Sequence, residues 1–377
     1  MQKQKEKSKL FLLSPGPNFN LEFSLRNRCE NLSKNSCGLV LTSGPKYQKV
    51  KYGNFTVICI KDPLEKSLIS SLGFLVVGFY QLLQAKLTGD KFNLFVTYDP
   101  LKTGLIGVLL TSLTGTKMLV EINGDYTQDV IYSEIKNVRK RKIKKWLMIT
   151  IERFVLNHVD AIKLLHDKQI DFFKPLKRDV KIGRFPDFVN THSFRNLGET
   201  KEVLFVGFPF MVKGVDILIE AFKKVSDNHE GWKLKILGWY PDMTLLDRYI
   251  DNHPNIYHHP PVDRSEVAEH MGKCGIFVLP SRTEAMGRVL IEAMASEKPR
   301  IGANVGGIPT VIDKDVDGLL FESENINELA SLLDSLMADK NRRQELGKKA
   351  RERYEVTFTP EKYFEQLNNF YKEILAE

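Results

Sequence analysis

"GIFVLPSRTEAMGRVLIEAMASEKPRIGAN", residues 275–304, sets two glutamates eight positions apart around a break in an apolar pattern. Up to Pro280 the run is short and continuously apolar, as expected of a strand buried on both faces. From Gly287 the apolar residues recur at helical spacing, and Pro299 ends the pattern, so a helix is expected between them. Glu284 then precedes the helix and Glu292 lies in its second turn. Between the two acids sits the helix N-terminus, whose unpaired N–H groups and dipole favour an anion such as phosphate. Gly287 lets a ligand approach the backbone closely. As an isolated residue Glu292 falls on the one non-apolar edge of "RVLIEAMA", an edge that water usually covers. Beside an anion site the pair has another use: a ligand with a diphosphate centre and hydroxyl-bearing groups on either side would satisfy one carboxylate at each end.

Working outward, "VLFVGF", "WKLKILG", "NIYHHP", "KPRIGAN" and "GLLFE" read as further strands, "GVDILIEAFKKV" and "NINELASLLDSLM" as helices, and "IPTVI" as a short one. Asn325 is a plausible cap for the second of these helices. Lys213, in "MVKG", follows a strand and an irregular "FPFM" turn, which puts it at a strand's carboxyl end. The first half shows a second series, with strands at "KLFLLSPGP", "CGLVLTSG", "FTVICI", "FNLFVTY" and "KMLVEIN". Such alternation argues for parallel βαβ units that bind ligands at the carboxyl ends of their strands. The turns there are "SPGPN" around Gly16, "TYDPLKTG" around Asp99, and "NGDY" around Asn123 and Asp125. Gly16 and Gly124 suit positive φ, and Asp99 suits the cap of a helix beginning near Leu101. The polar stretch near 190–202 reads as an interdomain linker. The expected class is α/β, with two doubly wound domains facing a cleft.

Composition sets the bounds. A chain of 377 residues, 42% apolar and 27% charged, is long enough for two domains, and it carries no low-complexity tract or 20–50-residue repeat. Cys29, Cys37, Cys59 and Cys274 lack the spacing of a metal site and suit reduced thiols in a cytosol. The basic N-terminus, with only a short apolar stretch before Ser-Pro-Gly, is unlike a secretory signal and reads as a tail leading into a strand. Asp315-Val-Asp317 reads as a turn, and no metal is expected.

"PSRTEAMGRVLIEAMASEKPRIGANVGGIPTVI", with "FVGFPFMVKGVDILIEAF" and "DGLLFE", resembles the retaining family-4 glycosyltransferases of GT-B fold across most of residues 203–322. The first half is similar more weakly, through "YDPLKTG", "VEINGDY" and "RFPDFVNTHSF". The final "TPEKYFEQLNNFYKEIL" resembles a terminal helix that returns to the first domain. The resemblance implies an acceptor-side domain over 1–195, a nucleotide-sugar-binding domain over 196–357 and that helix over 358–377. It implies that Glu284 contacts donor-sugar hydroxyls, Glu292 the ribose, and the amides near Gly287 and Arg288 the diphosphate, with Gly16 and Gly207 also on the donor side. Lys213 would neutralise the leaving diphosphate. The donor would be UDP- or GDP-linked, and no cofactor is implied.

Two departures stand out. Phe208 occupies the place of a common arginine five residues before the lysine, and Arg288 is a candidate for the missing charge. Asn123 occupies the place of a common histidine; an amide cannot accept a proton at neutral pH, but it can hydrogen-bond sugar or acceptor, while Asp125 could orient the acceptor. The implied reaction is sugar transfer with retention to a glycan or lipid-linked acceptor, with Lys213, Glu284 and Asn123 at the reacting groups. An epimerase-like enzyme and a catalytically silent sugar-nucleotide-binding protein are the alternatives.

Lysine and arginine exceed the acids by 55 − 47 = 8, and the excess gathers in "KNVRKRKIKKWLMITIERF", residues 136–154. Arg139, Lys140, Arg141, Lys142 and Trp146 suit a helix lying on an anionic membrane surface, from the cytoplasmic side. A solvated helix with a buried apolar stripe has the same pattern. No nucleic-acid motif accompanies the charge. The uncharged "SLISSLGFLVVGFYQLLQA", residues 67–85, reads as a buried helix of the first domain rather than a membrane span.

Overall fold

The computed structural model describes residues 7–16, 25–62, 67–133, 135–176, 179–240 and 243–376; the side chains of 67–69 are not among those described. The N-terminal tail ahead of the first strand therefore lies mostly outside the described residues. The chain divides into two compact units, one of Met1–Thr127, Lys142–Phe185 and Phe364–Glu377, the other of Gln128–Arg141 and Pro186–Tyr363. The polar stretch at 190–202 falls within the second unit, where the amides of Leu197 and Thr200 donate to the carbonyls of Gly272 and Lys273.

Among the described residues the first unit holds eight strands: β1 (Ser8–Leu13), β2 (Ser36–Gly44), β3 (Gln48–Tyr52), β4 (Phe55–Lys61), β5 (Leu94–Thr97), β6 (Lys117–Glu121), β7 (Ala161–Leu164) and β8 (Lys181–Arg184). Their order is β3-β4-β2-β1-β5-β6-β7-β8, parallel except for β3, which forms a hairpin with β4. The helices are α1 (Arg26–Leu32), α2 (Ser67–Leu87), α3 (Lys102–Thr114) and α4 (Val138–Leu156), whose first turn, to Arg141, is assigned to the second unit. From β4 through α2, β5, α3, β6 and α4 to β7 the chain moves one way across the sheet, so right-handed crossovers put these three helices on one face. Side-chain register agrees. Leu39, Phe11, Phe95 and Met118 lie side by side on that face. The first three pack against Phe74 and Leu82 of α2 and Ile106 and Leu110 of α3. Val120 and Ile162 continue the layer toward Val155 and Leu156 of α4.

The structure corrects the sequence expectation for α2. Phe74, Leu82 and Ala85 are buried, but Leu72, Val76, Phe79, Tyr80 and Leu83 are exposed. A helix apolar all round shows no period, so its outward face could not be told from its inward one.

Among the described residues the second unit has six strands, all parallel: β9 (Glu202–Val206), β10 (Lys233–Leu237), β11 (Ile256–His259), β12 (Ile276–Leu279), β13 (Arg300–Ala303) and β14 (Leu319–Phe321), in the order β11-β10-β9-β12-β13-β14. Its helices are α5 (Phe210–Lys213), α6 (Val215–Lys223), α7 (Met243–Ile250), α8 (Arg264–Lys273), α9 (Arg288–Ala295), α10 (Ile308–Val311), α11 (Ile326–Ala338) and α12 (Lys340–Thr357). Asn325 caps α11, its side chain accepting from the Glu328 amide at 3.1 Å. Finally α13 (Pro360–Leu375) begins in the second unit and ends in the first, where the Ile374 carbonyl accepts from Lys117 Nζ at 2.9 Å. The strand order reverses between β9 and β12, and the loops leaving their carboxyl ends are where an open α/β sheet binds ligands.

Candidate functional site

Those two loops bring Lys213 and Glu284 together. The "FPFM" segment is more regular than expected: it enters the helical turn α5, whose last residue is Lys213. Its Nζ donates to Glu284 Oε2 at 2.5 Å, and both side chains are mostly buried. Ser281 Oγ adds a longer bond of 3.4 Å to the same oxygen.

Glycines fix this loop by close backbone approach. Gly214 has φ 66°, and a Cβ there would lie 2.0 Å from the Pro280 carbonyl oxygen. The "GG" of "GGIP" does the same from the other side: a Cβ on Gly306, φ 51°, would lie 1.9 Å from the Glu284 oxygen, and one on Gly307 would lie 2.1 Å from the Ala285 oxygen. The Gly307 amide also donates to the Glu284 carbonyl at 3.0 Å. Gly287, φ 82° and ψ 60°, is the residue from which α9 starts.

Glu292 is not on a solvated edge. It is 5% exposed and accepts from Arg264 Nη2 at 2.7 Å. Burial pushes its carboxyl above the usual carboxylate range, and Arg264 opposes the shift. Arg288 is exposed and donates to the Phe188 carbonyl at 3.3 Å. Phe208 packs against Trp239, ring centroids 5.1 Å apart, and Gly207 takes a bond on its carbonyl from Tyr240 OH at 2.9 Å. The departure at Phe208 thus belongs to an aromatic group spanning the ends of β9 and β10.

Two residues that sequence reasoning missed hold the site. Arg264 opens α8 directly after the cap Asp263, but nothing in the chain pairs it with a glutamate 28 positions on. Arg282 grips Asp216 through two bonds of 2.8 and 2.6 Å, bonds the Met211 carbonyl at 2.7 Å and pairs with Glu324 at 2.5 Å. It ties the β12 loop to α5 and α6.

Gly16, Asp99, Asn123 and Asp125 lie in the first unit, after β1, β5 and β6. Neither Gly16 nor Gly124 has the expected positive φ. Gly16 is needed for a different reason: a Cβ there would lie 2.0 Å from Ser43 Oγ. Asp99 does receive the Leu101 amide at 2.8 Å and Thr103 Oγ1 at 2.6 Å, and burial pushes its carboxyl up against those bonds. Asn123 donates to the Tyr98 carbonyl at 2.8 Å, leaving its buried Oδ1 without a partner. Asp125 accepts from the Thr127 amide and hydroxyl at 3.0 and 2.6 Å. Glu152 on α4, unforeseen from sequence, is buried with Oε2 unpartnered. Burial first, then the charges of Asp125 and Asp99, push its carboxyl up to about 8. On the same helix, Arg141 is turned to the carbonyls of Ser133 and Ile135, so it does not share the outward role expected of its neighbours. Asp317 is buried on Arg300 at 2.8 Å, and Asp315 takes φ 62° in a turn.

A doubly wound pair of units with this loop constellation defines a class, and comparison with known proteins identifies it as GT-B. Residues 190–353 match the family of glycosyl transferases group 1. An uncharacterized glycosyltransferase of Methanocaldococcus jannaschii is 33% identical over 189 residues, 49% of this chain and 52% of the relative. A capsular polysaccharide biosynthesis glycosyltransferase of Staphylococcus aureus is 29% identical over 178 residues, 46% of each. The chain spans about half the length of these curated relatives. The structure of a sucrose-phosphate synthase from Thermosynechococcus elongatus superposes with a TM-score of 0.80 at 19% identity, over 98% of this chain and 100% of that one, which shows the shared fold.

Proposed function

We propose that the chain is a retaining, metal-independent family-4 glycosyltransferase that moves a sugar from a UDP- or GDP-linked donor to a glycan or lipid-linked acceptor in cell-surface polysaccharide or glycolipid synthesis. The observation that carries this is the pairing of Lys213 with Glu284 beside the Gly287 start of α9, with Glu292 buried one turn further on, inside the segment that matches group 1. Transfer builds negative charge on the departing diphosphate, so donors placed beforehand around that charge lower the barrier. Lys213 and the α9 amides supply them here. The diphosphate draws Lys213 from Glu284, and the freed carboxylate accepts from donor-sugar hydroxyls; Glu292 accepts from the ribose. Arg288 supplies the charge that Phe208 lacks, and Gly16 and Gly207 keep the backbone open to the donor.

In the first unit, Asn123 hydrogen-bonds the reacting sugar or acceptor, and Asp99 and Asp125 serve the acceptor side. A cytoplasmic enzyme held to the membrane face through the exposed Arg139, Lys140, Lys142 and Trp146 of α4 fits a membrane-borne acceptor. The test is to supply labelled nucleotide sugars with a chelator and candidate acceptors. An acceptor-linked product of the donor's anomeric configuration is expected. Free sugar, altered nucleotide sugar or no turnover would instead point to an epimerase-like or silent protein.

A further inference from the structure

The layer α2, α3 and α4 on one face of the first unit has an outer surface that the donor chemistry does not use. On α2, Leu72, Val76, Tyr80 and Leu87 are 65, 61, 58 and 78% exposed, and on α3 Leu113 is 64% exposed. Their spacing on α2, four, four and seven residues, keeps them on one side of the helix. The two helices pack side by side, for a Cβ on Gly78 would lie 2.7 Å from Leu110 Cδ1. Monomeric proteins rarely expose apolar area in such a contiguous strip.

Charge decides what covers it. The three helices carry nine lysines and arginines and a single acid, Glu152, which is buried. Arg141 is turned to the Ser133 and Ile135 carbonyls and Lys102 to Ser70, while Lys86, Arg139, Lys140, Lys142, Lys144 and Arg153 are exposed with no exposed acid on these helices to offset them. A two-fold contact between copies of this face would oppose cations to cations. An anionic bilayer offers the complement to both features, phosphates for the cations and hydrocarbon for the strip. No helix among the described residues is long and apolar enough to cross a membrane.

We propose that the α2–α3–α4 layer is a monotopic membrane-docking face: the exposed cations of α4 hold anionic headgroups while the outer side chains of α2 and Leu113 of α3 enter the acyl boundary. This deepens the membrane-borne acceptor proposed above and rests on it. The readout chosen is vesicle attachment, which succeeds or fails independently of sugar transfer.

The full chain would be sedimented with phosphatidylcholine vesicles with and without phosphatidylglycerol, at low and high salt. Wild-type protein should bind the anionic vesicles at low salt and keep a salt-resistant fraction. Leu72→Gln/Val76→Gln/Tyr80→Gln, at exposed positions that leave the core intact, should lower the salt-resistant partition by about tenfold or more. Arg139→Gln/Lys140→Gln/Lys142→Gln/Lys144→Gln should lose the low-salt attraction. If the α2 variant retains wild-type salt-resistant binding, the inserted face is overturned while the electrostatic attachment stands. A wild-type protein that ignores anionic vesicles overturns both. Sedimentation velocity covers the alternative occupant: a wild-type dimer that the α2 substitutions convert to monomer would make the strip a self-interface and sink the proposal.

Discussion

Replacing Arg264 by alanine would remove the guanidinium bonded to Glu292 Oε1 at 2.7 Å and leave a carboxylate with 5% exposure. Breaking a buried pair from one side costs about 3–5 kcal/mol. Arg264 itself is 38% exposed in its side chain, and solvent screening reduces the share owed to the pair to roughly 2–3 kcal/mol. The substitution also removes a 2.5 Å bond to the Asn190 carbonyl and the guanidinium over Phe194, together about 1 kcal/mol. The expected loss at neutral pH is therefore about 3–4 kcal/mol.

The pH dependence separates these parts. Burial raises the Glu292 carboxyl in the folded state above its unfolded value, and Arg264 holds it down. A raised acid binds its proton more tightly when folded, so its contribution is complete below the unfolded pKa and is lost as pH rises through the folded one. Without Arg264 the folded pKa climbs further. The deficit of the variant should then be largest at mildly alkaline pH and shrink on acidification, as the carboxyl becomes neutral. Urea unfolding at both pH values measures it, and adding Glu292→Gln should recover part of the loss at the higher pH. An Arg264→Ala deficit of equal size at both values, unchanged by Glu292→Gln, would refute the idea of a buried carboxylate held by one cation.

Glu292→Ala should weaken donor binding by roughly 1.5–3 kcal/mol through lost charge-assisted hydrogen bonds, while Glu284→Ala should act mainly on turnover; calorimetric titration showing unchanged nucleotide affinity for the first would reject the ribose assignment. Arg288→Ala should lower activity, and Phe208→Arg should restore part of it if both side chains reach one diphosphate. Purely additive effects in that cycle would mean they do not. With Glu152 at about 8 against a usual 4.5, stability should fall as pH rises across that window. At 1.36 kcal/mol per unit the ceiling is roughly 5 kcal/mol; Glu152→Gln should flatten the curve, and an unaltered pH profile of the melting temperature would contradict the burial account.

The legible parts of the fold were those with long or uninterrupted periods. β1, β2, β4 to β6 and β9 to β14 stood out as short apolar runs ending at turn residues. β3, β7 and β8 did not, because four or five residues such as "QKVKY" or "KIGR" carry too little pattern and β3 is a lysine-bearing edge. The two glutamates were legible because they share one strand–loop–helix unit. Their partners were not: Arg264 reaches Glu292 from another helix, and Arg282 reaches back 66 positions to Asp216. Such pairings follow from sheet order, and a single sequence does not display sheet order. The burial of Glu292 was not legible from its own helix, since a polar residue on an apolar helix faces water unless a neighbouring element brings it a charge.

The loop after β12 owes its shape to backbone contacts more than to side chains. Gly214 lies against the Pro280 carbonyl and Gly306 and Gly307 against those of Glu284 and Ala285, each closer than any Cβ permits. These contacts join the ends of three strands, β9 through α5, β12 directly and β13 through the "GGIP" turn. Arg282 then locks the same loop to Asp216 on α6. A carboxylate mounted on backbone fixed from both sides loses little freedom when it binds, so in the proposed reaction Glu284 would meet the donor with little ordering cost. Lys213 completes that arrangement: its bond to Glu284 balances the carboxylate's charge in a mostly buried setting before any ligand arrives. In the proposed reaction an entering diphosphate would exchange one anionic partner of the lysine for another, which would keep the desolvation cost of binding low and leave the ammonium beside the departing oxygen.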